Sequence, residues 1–134
     1  MENMVIRSFK ERDIDAILKL NEKEGWDRLT NKEDTFHALN NSEPALVACI
    51  DEDIVGYLRG ITDGIVTLYI SEILVRQEER GKGISRALME EAHRCFPSTR
   101  VEVLANADTE QYYKSQGFRS FFGFRKASKE FKPI

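Results

Sequence analysis

Apolar residues recur along this chain in two periods, and the switches between them divide it into elements. Val5 to Phe9 reads as a first strand, and Asp13 to about Glu22 as a helix with Ile14, Ile17, Leu18 and Leu20 near one face. Gly25-Trp26 breaks that helix. Thr30-x-x-Glu33 has the form of a capping box and opens a short second helix through Phe36 and Leu39. Pro44 marks entry to a strand, Ala45 to Ile50; Asp51-Glu52-Asp53 is a turn, and Ile54 to Ile61 returns as a hairpin partner. Asp63-Gly64 signals a second hairpin, whose far arm runs from Ile65 to Val75.

Ile84, Ala87, Leu88, Ala92 and Cys95 then recur at helical spacing and predict a face laid on a sheet. Glu90 and Arg94 stand four residues apart on the opposite side, a favourable pair, and Pro97 ends the helix. Arg100 to Ala105 alternates, with Val101 and Val103 on one face of a strand. Asp108-x-x-Gln111 is placed to cap a last helix that stops at Gly117, and Phe118 to Phe122 and Gly123 to Lys126 read as two short aromatic strands. The order β-α-α-β-β-β-α-β-α-β-β is mixed α/β, and residues 1–134 carry no repeat, low-complexity tract or linker that would divide one domain into two.

The densest chemistry lies between residues 75 and 89. An apolar strand end (Ile73, Leu74, Val75) runs into a charged turn and then into Gly81 and Gly83 at the mouth of the amphipathic helix. Glycine admits close approach to the backbone, and the first N–H groups of a helix lack intrahelical partners and sit at the positive end of its dipole. Phosphate fits such a terminus, and Arg80, Lys82 and Arg86 add positive charge on the same turn. The spacing is neither that of a P-loop nor that of the dinucleotide fingerprint, since Arg86 stands where the third glycine would be.

The phrase resembles motif A of the GCN5-related N-acetyltransferases, [Gln/Arg]-x-x-Gly-x-[Gly/Ala] followed by a helix. Glu78, Gly81 and Gly83 occupy those places, Glu78 departing from Gln/Arg, and Ser85 replaces a frequent Gly or Ala. A second phrase, Asn106 to Phe118, resembles the family's motif B, Asn-x-x-Ala-x-x-[Phe/Leu]-Tyr-x-x-x-Gly-Phe; Thr109 and Tyr112 depart, while Tyr113, Gly117 and Phe118 match. Together the likeness covers about residues 44–124. It implies a GNAT-like acyl-CoA N-acyltransferase fold: a central twisted, mostly antiparallel sheet of six to seven strands with about four helices, the fourth and fifth strands splayed to admit acetyl-CoA.

The same resemblance implies an acetyl-CoA-dependent N-acetyltransferase that acts on a primary amine, of a small molecule or a peptide, by direct attack in a ternary complex. A non-catalytic acyl-CoA sensor or interaction domain on the same fold is the alternative. Backbone amides from Arg80 through Arg86, including Gly81, Lys82, Gly83, Ile84 and Ser85, would cradle the pyrophosphate. Ile73, Leu74 and Val75 would lie along the pantetheine arm, with the Val75 N–H aimed at the developing oxyanion. Asn106 would bond the cofactor's amides, and Tyr113 would give a proton to the departing thiolate; Tyr112 is expected to face the core. Glu72, a carboxylate in an apolar strand run, and Glu102, between two valines, are rival proton acceptors, with a water chain as a third route. Trp26 and Glu24, in the loop after the first helix, are candidates for the acceptor pocket, an aromatic and an acid suited to a cationic amine.

Composition narrows the picture without redirecting it. The 134 residues carry a net charge of -3, which disfavours nucleic acid as a partner and tolerates a cationic amine. No apolar run approaches the roughly 20 residues that span a membrane, and a signal-like apolar stretch is missing at the start, so a cytoplasmic protein without membrane partner is expected. Cys49 and Cys95 with two distant histidines make no metal pattern; both cysteines read as apolar-face residues, and His37 and His93 as solvated ones. Phe118, Phe121, Phe122 and Phe124 could equally form the edge of a homodimer or fill the chain's own core.

Overall fold

The structure, a computed structural model, describes residues 3–26 and 28–132. These fall into two compact units, one running to Val103 and one beginning at Leu104. The first holds a single five-stranded mixed sheet in the order β1-β2-β3-β4-β5. Its strands are β1 (Met4–Ser8), β2 (Ala45–Ile50), β3 (Asp53–Thr62), β4 (Thr67–Val75) and β5 (Arg100–Val103), and its helices α1 (Ile14–Glu24), α2 (Lys32–Asn40) and α3 (Ile84–Cys95). The second unit holds one short helix, α4 (Glu110–Ser115). Neighbouring strands from β1 to β4 run antiparallel, and β4 and β5 run parallel.

The six to seven mostly antiparallel strands expected of the chain are thus five in a mixed sheet, because residues 118–126 enter no ladder. Aromatic residues signalled strands there, but β-propensity measures packing on a half-buried surface, not a backbone preference. Phe121, Phe122 and Phe124 are instead 83%, 98% and 94% exposed, so they do not fill the chain's own core. Gly123 approaches the Leu104 side chain so closely that a Cβ there would displace it.

The core forms on both faces of the sheet. Ile14, Ile17 and Leu20 of α1 and Leu39 of α2 pack with Val47, Cys49, Tyr57 and Leu74 on one face. Helix α3 lies against β2, β3 and β4 and buries Ile84, Leu88, Met89 and Ala92. Since Leu74 and Tyr57 face α1 and α2, strand alternation leaves α3 on the opposite face. Cys95, expected on the buried stripe of α3, is exposed at its last residue, and Met89 takes the place in the core. Nor does Glu90 pair with Arg94: Arg86 takes Glu90 at 3.3 Å, and Arg94 pairs with Glu91. His93 is half-buried rather than solvated, with Nε2 3.0 Å from the Thr99 carbonyl.

Local chemistry sets the element ends. Helix α1 stops at Gly25, whose φ of 79° is left-handed, with the Gly25 N–H on Glu22 (3.0 Å) and the Trp26 N–H on Asn21 (3.1 Å). Helix α4 stops in the same way at Gly117, with Gly117 N–H on Lys114 (3.0 Å) and Phe118 N–H on Tyr113 (3.0 Å). Both are Schellman endings, in which a glycine accepts positive φ and an aromatic follows. The expected cap at Asp108 does not form, since a 3₁₀ turn, Ala107–Thr109, precedes α4. Asn31, not Thr30, caps α2, its side chain accepting from the Asp34 N–H at 2.9 Å. Asp63 Oδ1 accepts from the N–H groups of Ile65 and Val66 at 2.9 and 2.8 Å, so those residues form a loop and β4 begins only at Thr67.

Asp13 carries the strongest local tie. It is 3% exposed and receives both arms of Arg7 at 2.8 Å and the Lys10 N–H at 2.8 Å. Burial alone would push its carboxyl up, but Arg7 and the Lys10 amide outweigh it and hold the group below the ordinary carboxylate value. Lowered folded-state binding of a proton means the pair stabilises above about pH 4, the unfolded reference, and stops doing so as pH falls through the lower folded value. Asp13→Asn should therefore cost about 2–3 kcal/mol near neutral pH, the low end for a broken pair because Arg7 is partly exposed, and flatten the loss of stability as pH falls below about 4. Urea unfolding of the two proteins across pH measures both effects; an unchanged midpoint at pH 7 would contradict the assignment.

Candidate functional site

The site begins where β4 loses a neighbour. Strand β5 pairs with Thr67–Ile70 only, and on the other side Ser71 is skipped, Arg59 opposing Glu72 while Gly60 opposes Ile70. A bulge adds a residue, bends the strand and raises its twist. It falls at the residue after the last β5 contact, where β5 itself ends at Val103. Ser71–Val75 keep β3 on one side and have no strand on the other among the described residues. Of the expected splay of the fourth and fifth strands, the ladder shows the end of their pairing at Ile70 and Val103.

Hydrogen-bond phase decides which groups face the gap. The Arg76 N–H donates to the Val55 carbonyl at 2.7 Å, so Leu74 and Glu72, in step with it, turn their amides to β3. Ile73 and Val75 turn N–H and C=O outward. The Val75 carbonyl is met there by Arg80 Nε at 2.9 Å.

Beyond Arg76 a 3₁₀ turn, Gln77–Glu79, leads to Gly81 and Gly83, with φ of 82° and 84°. Left-handed backbone at both positions is what glycine permits at low cost. A Cβ built on either meets no atom within 4 Å, so the space before α3 is open to a ligand. Gly83 is the residue before α3, and no side chain caps the helix start. Such a terminus suits a phosphate group.

The cations of the turn are matched by carboxylates. Arg80 reaches Glu24 at 2.6 Å, Lys82 reaches Glu79 at 2.7 Å, and Arg86 reaches Glu90 at 3.3 Å. Lys82, with Arg76 behind it, holds the Glu79 carboxyl below its ordinary value. Exposed pairs of this kind are worth little each, so an anion of two charges can recruit the same cations. The glycine phrase also approaches its pattern two residues further on, with Arg80 at the Gln/Arg place and Gly83 at the glycine, Ser85 departing from Gly/Ala. The geometry favours that register, because Arg80 braces the strand end and Gly83 opens α3, whereas Glu78 is exposed on the 3₁₀ turn.

Glu72 lies on the sheet face shared by Tyr57 and Leu74. Its Oε1 is paired with Arg59, and its Oε2 accepts from the Ser71 hydroxyl at 3.2 Å. Arg59 also touches the Ser42 hydroxyl at 3.3 Å. Glu102 lies opposite Tyr69 on the same face, exposed and 3.6 Å from Arg100. Behind Glu72, the buried Tyr57 hydroxyl donates to Asn21 Oδ1 at 2.7 Å, and Asn21 in turn donates to the Leu29 carbonyl at 2.9 Å. Burial pushes the Tyr57 phenol far up, and the nearby Glu72 charge adds to it. Neither Arg59 nor this network was picked out in the sequence; their signal is cross-strand register, which a bulge hides.

The remaining candidates divide. Trp26 is partly buried and packs against the α1–α2 core, and Glu24 is paired with Arg80. In the second unit, Tyr113 is the half-buried tyrosine and Tyr112 the exposed one, the reverse of the expected orientation for Tyr112. The Tyr113 ring stacks edge-on against Tyr112 and Phe118, with centroids at 5.1 and 5.5 Å. Burial raises the Tyr113 phenol above its ordinary value, with Tyr112 contributing. Asn106 stands before the 3₁₀ turn that precedes α4, its side chain 3.4 Å from the Thr109 hydroxyl.

Comparison with known proteins follows this geometry. A family model described as an acetyltransferase (GNAT) domain matches residues 41–120. No curated protein matches the chain in sequence. Among solved structures, a GNAT-family acetyltransferase from Streptococcus pneumoniae is 22% identical, with a TM-score of 0.79 over 97% of this chain and 100% of its own. An aminoglycoside N-acetyltransferase, AAC(6')-Iy, solved in complex with CoA, is 16% identical, with a TM-score of 0.74 over 94% of this chain and 96% of its own. The PaiA N-acetyltransferase from Thermoplasma acidophilum, also solved with coenzyme A, is 18% identical, with a TM-score of 0.71 over 87% of this chain and 90% of its own. At these identities the likeness establishes the fold.

Replacing Gly83 by valine should strain a left-handed position by about 1–2 kcal/mol and close the space before α3. Titration calorimetry should then find CoA affinity reduced at least about tenfold, roughly 1.4 kcal/mol, in a variant whose circular dichroism shows it folded. Unchanged affinity in a folded variant would refute the assignment of the loop.

Proposed function

Because the chain belongs to the GNAT acetyltransferase family, we propose that it transfers the acetyl group of acetyl-CoA to a primary amine by direct attack in a ternary complex. The observation that carries this reading is the continuity of two features: an unpartnered β4 edge, and a helix start reached through two left-handed glycines with open space before them. A thioester ligand with a pyrophosphate at one end and amides along its arm has groups for both. The loop amides would hold the pyrophosphate, and the outward groups of Ile73 and Val75 would pair with the arm as an added strand does.

Chemistry is then assigned to few groups. The Val75 N–H offers a donor to the carbonyl oxygen as charge develops on it. Glu72 takes the proton that an alkylammonium must lose before its nitrogen attacks, directly or through water. Its place on the open stretch of β4 supports it over Glu102, which lies beside the paired stretch and is exposed. The new N–C bond forms as the C–S bond breaks, and Tyr113, the tyrosine of the second motif, gives the sulfur its proton. A phenol whose proton is held above the ordinary value near 10 remains an acid throughout the neutral range. Asn106 is assigned to the cofactor's amides on the same motif. The alternative, a non-catalytic acyl-CoA sensor, would share the binding features and lack turnover.

Calorimetry with acetyl-CoA against ATP, followed by thiol release with an amine panel, tests the proposal. Tyr113→Phe should lower kcat by about 10²-fold or more while CoA affinity stays within a factor of about two. Glu72→Gln should lower kcat/KM far more than Glu102→Gln. A protein that binds acetyl-CoA and acetylates nothing would support the sensor; one that does not bind it would end both readings.

A further inference from the structure

We propose that the acceptor is an amine that also bears a carboxylate, an amino-acid-type zwitterion, with its ammonium group on Glu72 and its carboxylate on Arg59. This rests on the acetyl-transfer reading and names the substrate class of the same site.

Direction of approach comes first. Helix α3, whose N-terminal loop is the phosphate site, covers one face of the sheet. A ligand held there and laid along the open stretch of β4 leaves the other face for the incoming amine. On that face, directly across the β3–β4 ladder, stand Arg59 and Glu72. Cross-strand neighbours have Cβ atoms about 5 Å apart, close to the separation that one small zwitterion bridges.

Both side chains keep unused capacity. Of the five N–H donors of a guanidinium, Arg59 engages Nε with Glu72 and Nη1 with Ser42, the latter at a long 3.3 Å. Its side chain is only 16% exposed, yet no side-chain polar atom among the described residues is both buried and unpartnered. Nη2, which has no partner among those residues, therefore opens onto accessible space. Glu72 Oε2 has only the Ser71 hydroxyl at 3.2 Å. A guanidinium fork matches a carboxylate in shape as well as charge.

Charge balance points the same way. Each carboxylate nominated to attract a cation already has an arginine: Glu72 has Arg59, Glu102 has Arg100 and Glu24 has Arg80. Of the three, only Glu72 stands on the open stretch of β4, and there a polyamine meets an acid already paired with an arginine. An acceptor with one ammonium and one carboxylate exchanges partners with the Arg59–Glu72 pair and leaves the net charge unchanged.

The test compares matched acceptors: phenylalanine with phenethylamine, lysine with cadaverine, glycine with methylamine, and spermidine alone, with thiol release as readout. The carboxylate member of each pair should show kcat/KM higher by about 10- to 100-fold, carried mainly by KM. Arg59→Gln should bring that ratio close to one, and Arg59→Lys should recover part of it. Preference for the decarboxylated amines or for spermidine, or a ratio that survives Arg59→Gln, would overturn the proposal. If Arg59→Gln does not fold, the wild-type ratios decide alone. Acetyl-CoA binding without turnover of any panel amine would overturn this acceptor class, whereas absence of acetyl-CoA binding would overturn the acetyl-transfer reading itself.

Discussion

A strand that loses one neighbour halfway along its length is the constraint on which this structure turns. Backbone donors and acceptors need partners, and a sheet normally supplies them on both sides of an interior strand. In β4 that supply stops after Ile70, where β5 ends at Val103 and a bulge at Ser71 follows. Ile73 and Val75 are left with outward groups, and Arg80 satisfies one of them from the loop that follows. Strand β4 then runs through the 3₁₀ turn to Gly81 and Gly83, so the open edge and the uncapped start of α3 are consecutive parts of one path.

An opened strand must be held from its remaining side. Strand β3 does this, and it is anchored on the α1 face by Tyr57, which is fully buried and tied through Asn21 to the Leu29 carbonyl. Asn21 also accepts the Trp26 amide at the end of α1, so one residue joins helix stop, loop and strand. Asp13 and Arg7 fix the other end of α1 to β1. Asp13, Asn21 and Tyr57 are buried, and no buried side-chain polar atom among the described residues lacks a partner, the condition under which such networks specify a fold. The Arg59–Glu72 pair sits at the accessible end of the same face, where satisfaction is incomplete and a ligand has something to complete.

Much of this was legible in the sequence, for reasons that differ by element. Strand β2 was readable to the residue, because Pro44 and Asp51 bracket an unbroken apolar run. The glycines of the loop and of both helix stops were readable because positive φ leaves few alternatives. Family motifs nominated Tyr113 and Asn106, which periodicity would not have separated from packing residues. What could not be read were choices made in three dimensions. Arg80 finds Glu24 across 56 positions, and no spacing rule links them. Glu72 stood out in its apolar run, but its partner depends on a ladder shifted by a bulge. Asn31 displaced Thr30 as the cap of α2 because two adjacent residues offered the same chemistry. The aromatic C-terminal segment misled because its residues favour a packed surface, and phenylalanines exposed to this degree have none within the chain.

Amide hydrogen exchange of the 15N-labelled protein, with and without acetyl-CoA, tests the central claim most directly. Without ligand, the Ile73 and Val75 amides should exchange much faster than those of Glu72 and Leu74, which face β3. Saturating acetyl-CoA should slow Ile73, Val75 and the amides of residues 81–86 while leaving Glu72 and Leu74 nearly unchanged. Equal protection of all four strand amides without ligand, or no change at Ile73 and Val75 on binding, would contradict the account of β4 as an open edge that the cofactor completes.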